Sequence, residues 1–209
     1  MTTTWLTSAA LGAVINLMVD NIGAEDTAPA DEYRQIAAGF TARVHGATAA
    51  SWDNRSPVPE WTARDVVRHL VEWFPPFLTD ATGIELPPVP SVDDDPVAAW
   101  DQHSAAVQAL LDDPSHTDTP FRHPRLPEMP LGTAVSQFYT ADVFMHTWDL
   151  ARATGQDERL DPERCRVMYE GMLPLDEMLR ASGQYGPRVP VPDDADWQTK
   201  LLGFIGRRP

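Results

Sequence analysis

Asp142 and His146 stand four residues apart in the segment DVFMHTWDLARATGQD, residues 142–157. At helical pitch they lie on one face, about one turn apart. A carboxylate and an imidazole so placed can share a divalent cation, because they supply hard and borderline donors together. A carboxylate buried without a partner is costly, so Asp142 must be met by a metal, by an imidazole or by water. A stable metal centre calls for a third protein donor. Of the six histidines (His45, His69, His103, His116, His123 and His146), only His69 and His146 sit in strongly apolar helical surroundings, VVRHLVEW and FMHTWDL. His69 is therefore the natural third ligand, arriving from another helix. Spacing alone leaves a second reading open, an Asp–His hydrogen bond or ion pair with no metal.

The other residues around these motifs divide between two roles. Asp149, three after His146, either orients that imidazole or pairs with Arg152. Glu72 is expected on an exposed face, and Asp65 as a helix cap. Trp61, Trp73 and Trp148 are expected to fill core, with Trp148 also able to wall the site. His45, His116 and His123 are expected to be solvated, and His103, beside Asp101 and Gln102, to lie at the surface or rim. Arg122 and Arg125 are loop arginines that could meet an anionic substrate.

The elements that must position these side chains read as helices separated by Pro, Asp and Gly breaks. The first runs from about Asp31 to Thr48, with Tyr33, Ile36, Phe40 and Val44 on one stripe. The second starts after Pro59, where Thr62 with Asp65 three residues on resembles a capping box, and ends or kinks at Pro75-Pro76. The third opens at Asp95-Pro96 and stops at Asp113-Pro114. A proline-rich loop, 114–130, is long enough to cover something. The long helix follows from about Gly132 to Thr154, with Gly155 as its left-handed terminus. Asp161-Pro162 opens a helix reaching about Ser182 and bent at Pro174. Residues 183–192 are extended, and Asp194 is expected to cap a last helix over 195–205. The fold class is all-α, a helical bundle, and bundles place metal sites between facing helices.

Composition narrows the function. The 209 residues suit one domain with a full core. The formal net charge of −15, with no Lys/Arg-rich run, argues against nucleic-acid binding and against docking to anionic membranes. The single cysteine, Cys165, excludes an intramolecular disulfide and a Cys-rich zinc site. It reads as a small residue packed in a helix rather than a catalytic thiol. A reducing cytoplasm fits this usage. The apolar stretch Trp5 to Val19 is too short to span a bilayer comfortably and lacks a signal-peptide pattern. It is expected to pack as an extra helix or to serve dimerisation. Residues 1–30 are thus read as an N-terminal extension with a linker, and 31–209 as the bundle.

Three motifs occur in order: W-T-x-R-D-V-V-x-H-L at 61–70, D-V-F-x-H-T-W-D-L-A-R-A-T-G at 142–155, and the tail V-P-V-P-D-D-A with L-L-x-F-x-G-R-x-P. Together they resemble the actinobacterial DinB-like metal-binding proteins, similar to the N-terminal domain of mycothiol-dependent maleylpyruvate isomerase, over roughly Glu32 to Pro209. The resemblance implies a DinB/YfiT-like four-helix bundle with extra C-terminal helices, and a metal held by His69, Asp142 and His146. It implies zinc first, with nickel, manganese or iron as alternatives, and mycothiol as cosubstrate. The isomerase is expected to carry glutamate where this chain has Asp142, and to use a separate C-terminal domain. Its reaction is therefore not expected here. Two functions follow: a thiol-dependent transferase or isomerase acting on a small electrophile, or a metal-binding bundle without catalysis, serving as regulator, carrier or scaffold.

Overall fold

The computed structural model describes residues 27–124, 126–183 and 185–209. The helix expected over Trp5 to Val19, and Arg125, lie outside the described residues. The described residues cluster into two compact units, one holding residues 27–123 with Glu128–Glu158 and the other holding Arg159–Pro209.

The first unit is an all-α bundle. Helix α1 (Pro29–Gly46) buries Tyr33, Ala37, Phe40 and Val44, so the stripe read from the sequence is its core face apart from Ile36. Helix α2 (Ala63–Thr82) starts at the expected capping box, in which Thr62 accepts from the Asp65 N–H and Asp65 accepts from the Thr62 N–H at 2.8 Å. It does not end at Pro75-Pro76 but runs on to Gly83, whose φ of 75° closes it in the left-handed region. Two prolines remove two backbone donors, yet Phe74, Leu78 and Ala81 continue the buried stripe across them. Burial of that stripe offsets the lost hydrogen bonds. Helix α3 (Pro96–Asp112) is capped by Asp95, whose carboxylate accepts the Ala98 N–H at 2.9 Å. The proline-rich loop carries one helical turn, α4 (Pro114–Thr117), and a two-residue antiparallel ladder of β1 (Pro120–Phe121) with β2 (Met129–Pro130).

The long helix opens as α5 (Leu131–Ala134), passes through a π-helical turn at Val135–Thr140, and continues as α6 (Ala141–Thr154). In the π turn the Ala141 N–H reaches the Ser136 carbonyl, five residues back. Gly155, at φ 70°, ends α6 as read from the sequence. Helices α1 and α2 each pack against both α3 and α6, which makes the unit a four-helix bundle.

In the second unit, α7 (Pro162–Met172) passes through a 3₁₀ turn at Leu173–Leu175 into α8 (Asp176–Ser182), so the bend falls at Pro174. Helix α9 (Trp197–Phe204) packs on α7 and is capped by Asp196 rather than Asp194. Gly203 leaves room for the extended tail: a Cβ there would lie 2.7 Å from the Val189 carbonyl, which is too close. Cys165 is fully buried, and burial pushes its thiol up to about 12, so it stays protonated and unreactive.

One histidine reverses its expected place. His103 is buried, with 2% exposure, and its Nε2 lies 2.8 Å from the Tyr139 hydroxyl. Tyr139 in turn donates to the Leu70 carbonyl at 3.3 Å. The position continues the apolar stripe Ala99, Trp100, Val107 of α3, and that stripe outweighs the polar neighbours Asp101 and Gln102. Burial pulls the imidazole down from 6.5 to about 4. Because the unfolded chain protonates first, stability is full above pH 6.5 and falls as pH drops from about 6.5 to about 4, by roughly 3 kcal/mol at most. Urea unfolding of the wild type against His103→Phe across that window checks this: the wild type should lose more stability on acidification than the variant. Parallel curves would show that His103 is not the titrating group.

Candidate metal centre

Helices α2 and α6 lie against each other and bring the three expected donors together. His69, Asp142 and His146 each offer a ligand atom within 4.8 Å of the others. His69 Nε2 is 2.9 Å from Asp142 Oδ2, and His146 Nε2 is 3.4 Å from Asp142 Oδ1. A zinc ion at about 2.1 Å from tetrahedral donors separates those donors by roughly 3.4 Å. Each carboxylate oxygen of Asp142 thus lies within about that distance of one imidazole nitrogen, Oδ2 of His69 and Oδ1 of His146. The side chains of His69 and Asp142 are partly exposed, whereas that of His146 is only 7% exposed.

Asp142 is held by several neighbours at once. Burial raises its pKa, but the imidazole of His146, the contact with His69 and the indole N–H of Trp73 outweigh that and hold the carboxyl below its ordinary value. The Trp73 Nε1–H donates to Oδ2 at 3.0 Å. One carboxylate oxygen is therefore anchored while the other faces His146.

The orientation of His146 is set from behind. Its Nδ1 lies 2.9 Å from Oδ2 of Asp149, a residue with no exposed surface. A carboxylate accepts, so Nδ1 carries the proton, and a neutral ring then turns the lone pair of Nε2 toward Asp142. Two lone pairs 3.4 Å apart repel unless a cation lies between them. A proton can fill that role, and so can a metal ion bound also by His69. The donor set thus fits a divalent ion with two imidazoles and one carboxylate, leaving further coordination positions open.

Two tryptophans expected in the core border the site instead. Trp61 and Trp73 are both partly exposed. The Trp61 ring lies 5.7 Å from His146, nearly parallel at 23°, and 5.0 Å from His69. A tight turn presents it: the Ser56 N–H reaches the Trp61 carbonyl at 2.9 Å, the Trp61 N–H reaches the Val58 carbonyl at 3.1 Å, and Glu60 adopts a left-handed φ of 67°. Glu60 is the one non-glycine residue with positive φ among the described residues. Such strain costs of order 1 kcal/mol and gathers at functional sites.

The remaining candidates fall into place around this centre. Of the two roles open to Asp149, the structure shows the contact with His146, while Arg152 meets Glu158 at 3.2 Å and covers the Trp148 ring. Trp148 is buried. Glu72 is exposed and 3.9 Å from Arg68, and Asp65 caps α2. Arg122 pairs with Glu128 at 2.9 Å, and His45 meets Asp101 at 2.9 Å on the surface. The bordering roles of Trp61 and Trp73 were not read from the sequence. The only signal was position: Trp73 stands four residues after His69, and Trp61 precedes the α2 cap.

Comparison with known proteins agrees with this architecture. A sequence model of the family described as the mycothiol maleylpyruvate isomerase N-terminal domain matches residues 33–151. An uncharacterized protein of Mycobacterium tuberculosis, found in strains CDC 1551 / Oshkosh and ATCC 25618 / H37Rv, is 28% identical over 190 residues, covering 80% of this chain and 91% of that protein. No solved structure matches. The matched region contains α2, the long helix up to Ala151, and with them His69, Asp142, His146 and Asp149. This chain therefore belongs to the mycothiol maleylpyruvate isomerase N-terminal domain family.

Proposed function

We propose that this protein is a divalent-metal-binding helical bundle that presents a low-molecular-weight thiol, of the mycothiol class, to a small electrophile. One observation carries the reading: two imidazoles and a carboxylate converge from two helices, with the His146 tautomer set by buried Asp149. Zinc is the first choice for such a donor set, and nickel, manganese or iron(II) also suit it. When bound, a metal lowers the pKa of a coordinated thiol and holds it as thiolate.

The chain's own residues do the rest. His69, Asp142 and His146 hold the ion; Asp149 keeps Nδ1 of His146 protonated so that Nε2 points inward. Trp73 donates to Asp142 Oδ2 and fixes the orientation of that carboxylate. Trp61 covers the imidazoles and limits water at that face. Buried, protonated Cys165 supplies no nucleophile, so the thiol must come from solution. The family description names mycothiol, which supports that choice. The aspartate at 142 is shorter than glutamate, and the maleylpyruvate reaction itself is not assigned.

Protein purified without a histidine tag should bind zinc through this site, and His69→Ala, Asp142→Ala or His146→Ala should each abolish tight binding. Competition with a metallochromic chelator reads this directly, and undiminished affinity in all three variants would defeat the assignment. Asp149→Asn and Trp73→Phe keep all ligands yet should weaken zinc by about 10–100-fold and about 10-fold. Thiol binding should depend on the ion: a calorimetric titration with mycothiol should give a signal with zinc-loaded protein and none after chelation. Equal thiol affinity with and without metal would sink the thiol assignment.

A further inference from the structure

The donors belong to two facing stripes. On α2, His69, Trp73 and Phe77 recur every four residues; on the long helix, His146, Asp142 and Phe138 do the same. The stripes meet as three rungs. The His69 and His146 rings lie 4.9 Å apart, Trp73 donates to Asp142 at 3.0 Å, and the Phe77 and Phe138 rings lie 5.8 Å apart, edge to face. Each rung is about 6 Å along the helix from the next. Trp73 links the middle rung to the last, with its ring 5.4 Å from Phe77.

The aromatic rung is open rather than sealed. Trp73, Phe77 and Phe138 all remain partly exposed, as do His69 and Asp142. The far end is bounded by the proline-rich loop, whose Phe121 and His123 rings lie 5.0 and 5.3 Å from Phe77. Core aromatics such as Phe74 and Tyr139, which stack at 4.2 Å one layer deeper, are fully enclosed. Partly exposed aromatic rings that begin one helical turn from a charged donor set have the make-up of a small-molecule site: a few polar groups at one end and an apolar, π-rich wall at the other. Flat π-systems gain from stacking and edge contacts that a saturated body of equal size does not.

We infer that this partly exposed aromatic face binds a small molecule with a flat aromatic body. The body lies against Trp73, Phe77 and Phe138, and the reacting end points to the His69–Asp142–His146 rung. The orientation of the reacting end rests on the metal reading above; the aromatic preference does not.

The test uses two nine-carbon alcohols, cinnamyl alcohol and 3-cyclohexylpropan-1-ol, titrated into the full chain both metal-free and zinc-loaded. The readout is the ¹⁵N–H NMR signal of the Trp73 indole, assigned by its loss in Trp73→Phe. Cinnamyl alcohol should shift that signal saturably and bind about 5–10-fold more tightly than the saturated alcohol in both forms. Phe138→Leu, which keeps an apolar side chain at a partly exposed position, should reduce the preference to about twofold or less while zinc affinity stays unchanged. Equal affinities, absence of a shift, or a preference that survives Phe138→Leu would overturn the inference. Failure to take up zinc would strike the metal assignment alone, because the metal-free titration still decides the aromatic preference.

Discussion

The carboxylate of Asp142, held between two imidazoles at the α2–α6 contact, is the constraint on which the rest of this site depends. A partly buried anion needs compensation, and three groups supply it from two directions: His69 and Trp73 from α2, His146 from its own helix. Asp149 fixes the proton of His146 on the side away from Asp142. The face between Nε2 and the carboxylate is thus suited to a cation, and a divalent ion would satisfy all three donors where a proton can be shared by only two.

The bundle makes this possible by supplying two rigid helices rather than loops. The capping box at Thr62 starts α2 at a defined residue, so His69, Trp73 and Phe77 face one way. The π turn at Val135–Thr140 inserts extra backbone just before α6, and such turns recur at functional positions. Phe138 falls within it. A continuous α-helix would rotate Phe138 relative to Asp142 and change what Phe77 meets. Beneath this face, Tyr139 and His103 complete a polar contact inside an otherwise apolar layer. The neutral state of His103 is set by burial.

Much of this was legible in the chain. Hydrophobic periodicity and Pro, Asp and Gly breaks yield the four bundle helices, and the spacing of Asp142 to His146 yields two donors. His69 followed from its apolar setting, a local property. What escaped depends on facing surfaces. The pairing of Trp73 with Asp142 and of Phe77 with Phe138 requires the register of two helices separated by about seventy residues of chain, which no single-helix pattern contains. His103 escaped for a different reason: its sequence neighbours are polar, while its neighbours at three and four residues, Trp100 and Val107, are apolar and decide its burial. Pro75-Pro76 reads locally as a stop, yet the buried stripe on either side carries the helix through.

Which atoms would surround a bound ion, and whether a position stays free, decides between a thiol-presenting centre and a closed one. X-ray absorption at the zinc edge, on the full chain loaded with one equivalent of zinc, measures this before and after addition of mycothiol. The account predicts the multiple-scattering pattern of two imidazoles with light-atom donors at first, and then one sulfur at about 2.3 Å replacing a light atom. A spectrum without imidazole scattering, or one in which no sulfur enters the zinc shell, would contradict it.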